Sequence, residues 1–411
     1  MSLEVASTAL SDADSMGAMD NQLIGSPQIT FFAAVYRRHC NFAIESIEQS
    51  FVQMPAFGKA TSINISSLGD MICGISAEVT FPASDNYAFG VGNALFKSVE
   101  VVIGGAVIDV QTSDWLNISS ELTVPEGKLI AYDRMVSNYY SKTRAAPFTC
   151  RIPFQFWFTK HDNALPILLM QQPIQLRFQF ETMENLTNNN LASASYTLDC
   201  KIYVDYVFLD TPERQMLTRT AHQQLIEQVQ YNEFEIASGS SFYNAKLRFT
   251  NAVKELHWVH CPVAGSAYGP LNYAAGKLDL HTFTTGKLVM NTNDRCSSRM
   301  ADYYYLVQNW AHHQRVPRTQ FVHTTYNDSF TVETTGFYRN YIYSYSFALR
   351  PDEHQPSGCC NFSKLRTAEL QLKYDIASAY YTYNYARILK VFAVVYNILH
   401  FTATGVILSL S

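Results

Sequence analysis

The sequence predicts an all-β protein in which one β-unit is used twice, the two copies joined by a helix. Three observations carry this. Segments that alternate apolar and polar residues with period two dominate both halves. The strongest of them recur at a nearly constant offset: Phe156 and Phe347 stand 191 residues apart, and Phe178 and Leu372 194, close to half of the 411-residue chain. A chain of this length also exceeds one ordinary core and suits two domains of about 200 residues each.

The elements follow in order. Residues 1–24 carry Glu4, Asp12, Asp14 and Asp20, no cation before Arg37 and no apolar core, so they read as an acidic arm ordered by assembly and not as a signal peptide. Gly25-Ser26-Pro27 is a turn signal, and Ile29-Thr30-Phe31-Phe32 is a short β-prone run. Tyr36-Arg37-Arg38-His39 then sets cations beside aromatics, a composition favoured where Arg forks meet partner carboxylates. Ile103-Gly104-Gly105-Ala106, between Val99–Val102 and Val107–Val110, predicts a hairpin. A strand over Arg151–Phe158 puts Ile152, Phe154, Phe156 and Phe158 on one face, and Gln175–Glu181 alternates Leu and Phe inward with Gln, Arg and Glu outward. Lys201–Phe208 sends Ile202, Val204, Tyr206 and Phe208 to one side.

A helix is predicted over residues 211–228. Thr211 serves as N-cap, Pro212 as first helical residue and Glu213 complements the dipole, with Leu217, Ala221, Leu225 and Val229 at i+4 spacing. The second half then repeats the first: Tyr341–Leu349 alternates, Glu369–Tyr374 mirrors Gln175–Phe180, and Ala386–Leu399 mirrors Cys200–Asp210. Val391–Tyr396 is the strongest apolar run, but Lys390 and Asn397 flank it. It falls well short of the roughly 18 residues that span a bilayer, so a buried strand is predicted.

Composition narrows the function. Charged residues are 16%, below the roughly 25% of ordinary soluble domains, while Tyr and Phe number 26 each. Few charges and many Tyr suit a surface covered by copies of the same chain. A net charge of −5 argues against a nucleic-acid partner. The eight cysteines form no CxxC pairs and read as free thiols of a reducing compartment.

The stretch from Gly25 through His39, Cys40 and Glu45 to Phe51 resembles the opening of the major capsid proteins of nucleocytoplasmic large DNA viruses. So do Ile108-Asp109 with Ser113–Leu116, Leu209–Arg214 with His222 and Leu225–Gln228, Val253–Val259, and Leu306–His313 with Val316-Pro317. Tyr345–Ser363, which includes Arg350-Pro351-Asp352-Glu353-His354-Gln355-Pro356, is the most specific match. Together they run from about Gly25 to Leu399.

The resemblance implies two tandem eight-stranded antiparallel jelly rolls with a short interdomain helix. The arm would be residues 1–24, the first jelly roll 25–212, and the second 213–411, opening with the helix. It implies a structural subunit and not an enzyme: a homotrimer of pseudo-hexameric outline tiling an icosahedral virion shell, assembled in host cytoplasm. The partners implied are the chain itself, neighbouring capsomers, minor capsid and penton proteins, and an internal membrane-associated protein. Candidate subunit-contact or structural residues are Tyr36, Arg37, Arg38, His39, Trp310, His312, His313, Glu353, His354 and Pro356. The sequence departs from the family at Ala33, where Lys is usual, at Cys40 and Cys359, where Thr or Ser is commoner, and in lacking a Gly-rich ending.

Three alternatives stay open: a transient scaffold of the same fold, a glycan-binding jelly roll and a cupin-like enzyme. Tyr303-Tyr304-Tyr305 and Tyr380-Tyr381 are the sugar-stacking candidates. A cupin metal site takes His-x-His, because strand residues i and i+2 share a face. His257 and His260 are three apart and His312 and His313 adjacent, so neither pair converges within a strand; no metal or cofactor is expected. No G-x-S-x-G, H-E-x-x-H or phosphate-loop motif occurs, and Asp352-Glu353 reads as a loop, not a catalytic dyad.

Overall fold

Alternation in the sequence becomes strand register in the computed structural model. It describes residues 39–411 outside 86, 89, 139–142, 145, 161–162, 188–195, 220–221, 263–270, 272, 274–280, 319–323, 327–331, 335–339, 376–385, 403–404 and 410–411. The arm of residues 1–24, with Tyr36, Arg37 and Arg38, lies outside the described residues.

The first barrel comprises β1 (Phe42–Gln49), β2 (Ala60–Asn64), β3 (Met71–Phe81), β4 (Phe96–Ile103), β5 (Ala106–Thr112), β6 (Phe148–Pro153), β7 (Ile174–Phe180) and β8 (Asp199–Leu209). They form two antiparallel sheets in the orders β1-β8-β3-β6 and β2-β7-β4-β5. The second comprises β9 (His222–Ile236), β10 (Phe242–Lys246), β11 (Ala252–Pro262), β12 (Thr285–Met290), β13 (Asn293–Asp294), β14 (Tyr343–Ser346), β15 (Ala368–Lys373) and β16 (Arg387–Thr402). Its sheets run β9-β16-β11-β14 and β10-β15-β12-β13. Adding eight to every label of the first barrel gives the second, so the Phe178–Leu372 offset read from the sequence joins the equivalent strands β7 and β15, while Phe156 and Phe347 lie just past the equivalent strands β6 and β14. The last strand, β17 (Gly405–Leu408), pairs with β16.

Local chemistry explains several elements. Gly104 and Gly105, at φ of 58° and 88°, supply the left-handed pair that closes the β4–β5 hairpin between Ile103 and Ala106. In β7, Ile174, Leu176, Phe178 and Phe180 face inward, where Phe178 and Phe180 meet Phe96 at ring-centroid distances of 6.0 and 5.5 Å. β16 is buried on both faces. Val391, Ala393 and Val395 belong to the core of the second barrel, while Phe392 and Val394 join the core of the first. A strand with two dry faces needs no alternation, which accounts for the continuous run Val391–Tyr396. Among the described residues no helix is long and apolar enough to cross a membrane.

Two expectations are corrected. The helix predicted over 211–228 is α3, Thr211–Arg219 only. From His222 onward the chain is β9, paired residue by residue with β16 from His222↔Phe401 to Ile236↔Arg387. A spacing of four is also two strand repeats, so Leu217, Ala221, Leu225 and Val229 could not separate helix from strand, and the cross-strand partner decided. The strand predicted over Arg151–Phe158 stops at Pro153. Phe154, Phe156, Trp157 and Phe158 are all buried, the last two in a helical turn, so the core closes around this segment from several sides.

Two further helices lie outside the sequence prediction: α1 (Ser113–Thr123) and α2 (Glu126–Val136). Thr112 caps α1, its hydroxyl accepting the Trp115 N–H at 3.2 Å. Thr112→Ala is expected to lower stability by about 1 kcal/mol, checked as a shift in denaturation midpoint at unchanged slope.

Candidate functional site

A cleft of about 620 Å³ lies where the two barrels meet, walled by α1 and α2 on one side and by β11 and the turns near residues 313 and 351 on the other. A β-bulge builds its wall. The register of β11 against β16 shifts between Val253 and Glu255. Before the shift Val253 faces the core of the second barrel; after it Leu256 and Trp258 do. Val259 and Cys261 turn to the first barrel, and Glu255 and His257 of the same parity line the cleft. Re-aiming side chains is what a bulge accomplishes.

The polar groups here are buried and tightly spaced. Glu255 Oε2 lies 3.5 Å from His257 Nε2 and 3.5 Å from His313 Nε2. The Nδ1 atoms of the same rings reach Ser344 Oγ at 2.8 Å and Asp352 Oδ1 at 3.0 Å. His313 comes from the end of α4 (Gln308–His312), and Asp352 from the turn after β14. Lys254 Nζ turns to Glu227 Oε1 at 2.5 Å. Burial would raise the Glu255 carboxyl, but His257, His313 and Lys254 outweigh it and hold the group well below the usual carboxylate range. Burial lowers His257 against the pull of Glu255. Burial would lower His313 too, yet Asp352 and Glu255 raise it.

Other buried polar groups tie the barrels together. Glu121 of α1 receives Arg318 Nε at 3.2 Å and lies 3.3 Å from Arg315 Nη2, and Arg318 Nη2 also donates to Asp133 of α2 at 3.0 Å. Asp114 pairs with Lys390 of β16 at 2.6 Å and accepts the Tyr273 hydroxyl at 3.1 Å. Asp109 Oδ1 accepts the Val229 N–H at 2.9 Å, and Gln228 donates to the Ile108 carbonyl. Burial pushes the Asp109 carboxyl up to about 7 against the Val229 and Val110 N–H groups, Lys160 and Gln111, which all favour the ionised form. Asp70 anchors α3, accepting the Leu209 N–H at 2.8 Å and Arg214 Nη2 at 2.9 Å.

The residues singled out from sequence scatter. His39 is exposed beside the Cys40 carbonyl. Trp310 is 79% exposed on α4, and Leu306 and Val307 of the preceding turn are exposed with it. His312 Nδ1 lies 3.3 Å from the Leu349 carbonyl, and Leu349 is itself 76% exposed. Glu353 is exposed and pairs only loosely with Arg350, at 3.4 Å; His354 is half-buried and Pro356 exposed. The His312–His313 pair and the Asp352 turn do come together, through the His313–Asp352 contact. His260 stands apart, its ring nitrogens meeting Thr282 Oγ1 at 2.7 Å and the Tyr374 hydroxyl at 3.1 Å. The sugar-stacking expectation is corrected for Tyr303-Tyr304-Tyr305. Tyr304 and Tyr305 are buried core residues and Tyr303 is half-buried, because two of the three rings fill the second barrel. Tyr380 and Tyr381 lie outside the described residues. Sequence reasoning missed Glu255, although Glu255-x-His257 has the strand spacing that puts two ligand types on one face.

Comparison with known proteins agrees with the fold. The profile of the family described as "Major capsid protein N-terminus" matches residues 30–210, and that of "Large eukaryotic DNA virus major capsid protein" matches residues 213–337 and 331–406. The chain is 38% identical over 401 residues to a major capsid protein of Pyramimonas orientalis virus, covering 93% of this chain and 94% of the relative. It is 31% identical to that of Paramecium bursaria Chlorella virus 1, covering 90% and 88%. Among solved structures, PBCV-1 VP54 superposes with a TM-score of 0.78 at 26% identity, over 93% of this chain and all of that one. The Faustovirus major capsid protein, at a TM-score of 0.70 and 11% identity, shares the fold over 94% of each chain. With twin barrels of one topology, barrel contacts made by buried structural pairs and matches along nearly its whole length, the chain belongs to the major capsid proteins of large eukaryotic DNA viruses, which are structural proteins and not enzymes.

Proposed function

We propose that three copies of this chain form a pseudo-hexameric capsomer that tiles an icosahedral virion shell. The observation that carries the trimer is the apolar face of the second barrel, where Leu306, Val307, Trp310 and Leu349 are all exposed. Leu306, Val307 and Trp310 fall on one side of a continuous helical segment, and the His312 contact brings Leu349 alongside its end. Single exposed apolar residues are ordinary, but a cluster of large ones marks an interaction surface. On this reading Trp310 and His312 sit at subunit contacts, while His313, through Asp352, braces the Glu353–Pro356 turn. Tyr36 to His39 reach a neighbouring subunit. The barrels divide near residue 212, with 25–212 and 213–411 as the two units and 1–24 as an arm on the inner surface. Minor capsid and penton proteins, and an internal membrane-associated protein, meet the shell at other surfaces; assembly takes place in host cytoplasm.

Light scattering on the purified protein is expected to give a trimer, and Trp310→Glu a folded monomer. A monodisperse wild-type monomer at micromolar concentration would sink the proposal. The transient-scaffold alternative separates by abundance: a shell subunit dominates purified particles, whereas a scaffold dominates assembly intermediates and is scarce in the finished particle.

A further inference from the structure

We propose that Glu255, His257 and His313 form a structural site for one zinc ion on the wall of the inter-barrel cleft. One donor atom from each residue lies within 4.8 Å of the others. Zinc bonds of about 2.0–2.1 Å in tetrahedral arrangement put neighbouring donors roughly 3.4 Å apart. The two separations from Glu255 Oε2, both 3.5 Å, match that spacing.

The donors are set up for an ion. Each imidazole has its Nδ1 engaged, His257 with Ser344 Oγ and His313 with Asp352 Oδ1, leaving both Nε2 atoms aimed at the Glu255 carboxylate. A carboxylate behind a ligating histidine fixes the tautomer and raises its basicity. The side chains of Glu255, His257 and His313 are 7%, 1% and 1% exposed, yet Glu255 Oε2 and His313 Nε2 have no hydrogen-bond partner. Native interiors rarely leave such atoms unsatisfied. A zinc ion would satisfy both at once.

The donor set favours this metal over the hard cations, since imidazole with one carboxylate suits zinc and an oxygen cage suits calcium or magnesium. Lys128, Lys160 and Lys254 also line the cleft, balanced in number by Glu227, Glu255 and Asp352. A water from the cleft would complete the tetrahedron. Structurally, the ion would join β11 to the end of α4 and, through Asp352, to the turn that carries Glu353 to Pro356.

The test uses the full-length protein, stripped with a chelator, dialysed against zinc chloride and then against metal-free buffer. Elemental analysis is expected to return one zinc per chain, with the melting temperature raised by several degrees relative to the stripped form. Glu255→Gln and His313→Gln are expected to abolish retention, and Asp352→Asn to weaken it about 10- to 100-fold. Replacing Cys359 and Cys360 by serine should leave retention unchanged. Cobalt(II) loaded into the wild type should give the visible absorption of a low-coordinate ion without thiolate charge transfer, a readout that holds even where a variant fails to fold. Absence of retained zinc, equal retention by Glu255→Gln and His313→Gln, or a thiolate band with cobalt would each overturn the assignment.

Discussion

Glu121→Ala is expected to cost about 3–5 kcal/mol, the usual penalty for removing one partner of a buried ion pair. The Glu121 side chain is 1% exposed, and Arg315 and Arg318 are 8% and 19% exposed. Truncation therefore removes the shared carboxylate from two guanidinium groups where water reaches them poorly, leaving Asp133 to hold Arg318, and the Ser120 and Glu121 carbonyls with Glu126 to hold Arg315. Glu121 stands on a helix of the first barrel and the arginines belong to the second half of the chain. Scanning calorimetry is expected to show the loss as a lower melting temperature of one transition. A double variant that also replaces Arg315 and Arg318 by Met should recover much of the loss, because the unpaired charges and not the missing carboxylate dominate the penalty. A loss below 1 kcal/mol would mean that water reaches the cluster.

Asp109→Asn should change the pH dependence of stability. The carboxyl holds its proton up to about 7 in the folded chain, against an ordinary value of 3.8. Between those values the native state binds a proton that the unfolded chain has released, so stability falls as pH rises from about 4 to about 7, then levels off. Three units at 1.36 kcal/mol each make the drop on the order of 4 kcal/mol. Asparagine keeps an oxygen for the Val229 N–H but carries no charge to bury. The groups facing the site, Lys160, Gln111 and the Val110 and Val229 N–H donors, stay in place. The variant should match the wild type near pH 4 and exceed it by up to that amount at pH 8, measured by denaturant melts across the range. Parallel pH profiles would show that Asp109 is ionised throughout.

The barrels were legible in the sequence where one face of a strand is dry and the other wet, as in Ile174–Phe180. They were also legible where glycine supplies a positive φ, as at Gly104 and Gly105. Legibility failed where burial comes from all sides. α1 carries nine consecutive buried residues, Asp114 to Leu122, so its polar positions are as dry as its apolar ones. The boundary of α3 failed because the partner that turns residues 222–236 into a strand lies more than 150 residues away in the chain. The cleft failed for a related reason. The histidines were weighed as neighbours in sequence, whereas the structure sets one of each pair beside Glu255, with β11 and α4 drawn together only by the fold. Residues whose role depends on local φ or on period two are readable one segment at a time; those that meet across 58 residues, as Glu255 and His313 do, are not.

The two-faced strand β16 has a consequence for the integrity of the chain. Phe392 and Val394 project away from their own barrel into the neighbouring core, joined there by Ile226 and Val259. Cutting the polypeptide at the helix between the barrels would leave the C-terminal half with a sticky apolar sheet face, and the N-terminal half with a matching hole. Neither fragment would be a finished soluble module, despite the repeated topology. The two halves are therefore bound to change together: a substitution on one side of that shared layer alters the fitness of residues on the other, and the duplication persists as a single inseparable body.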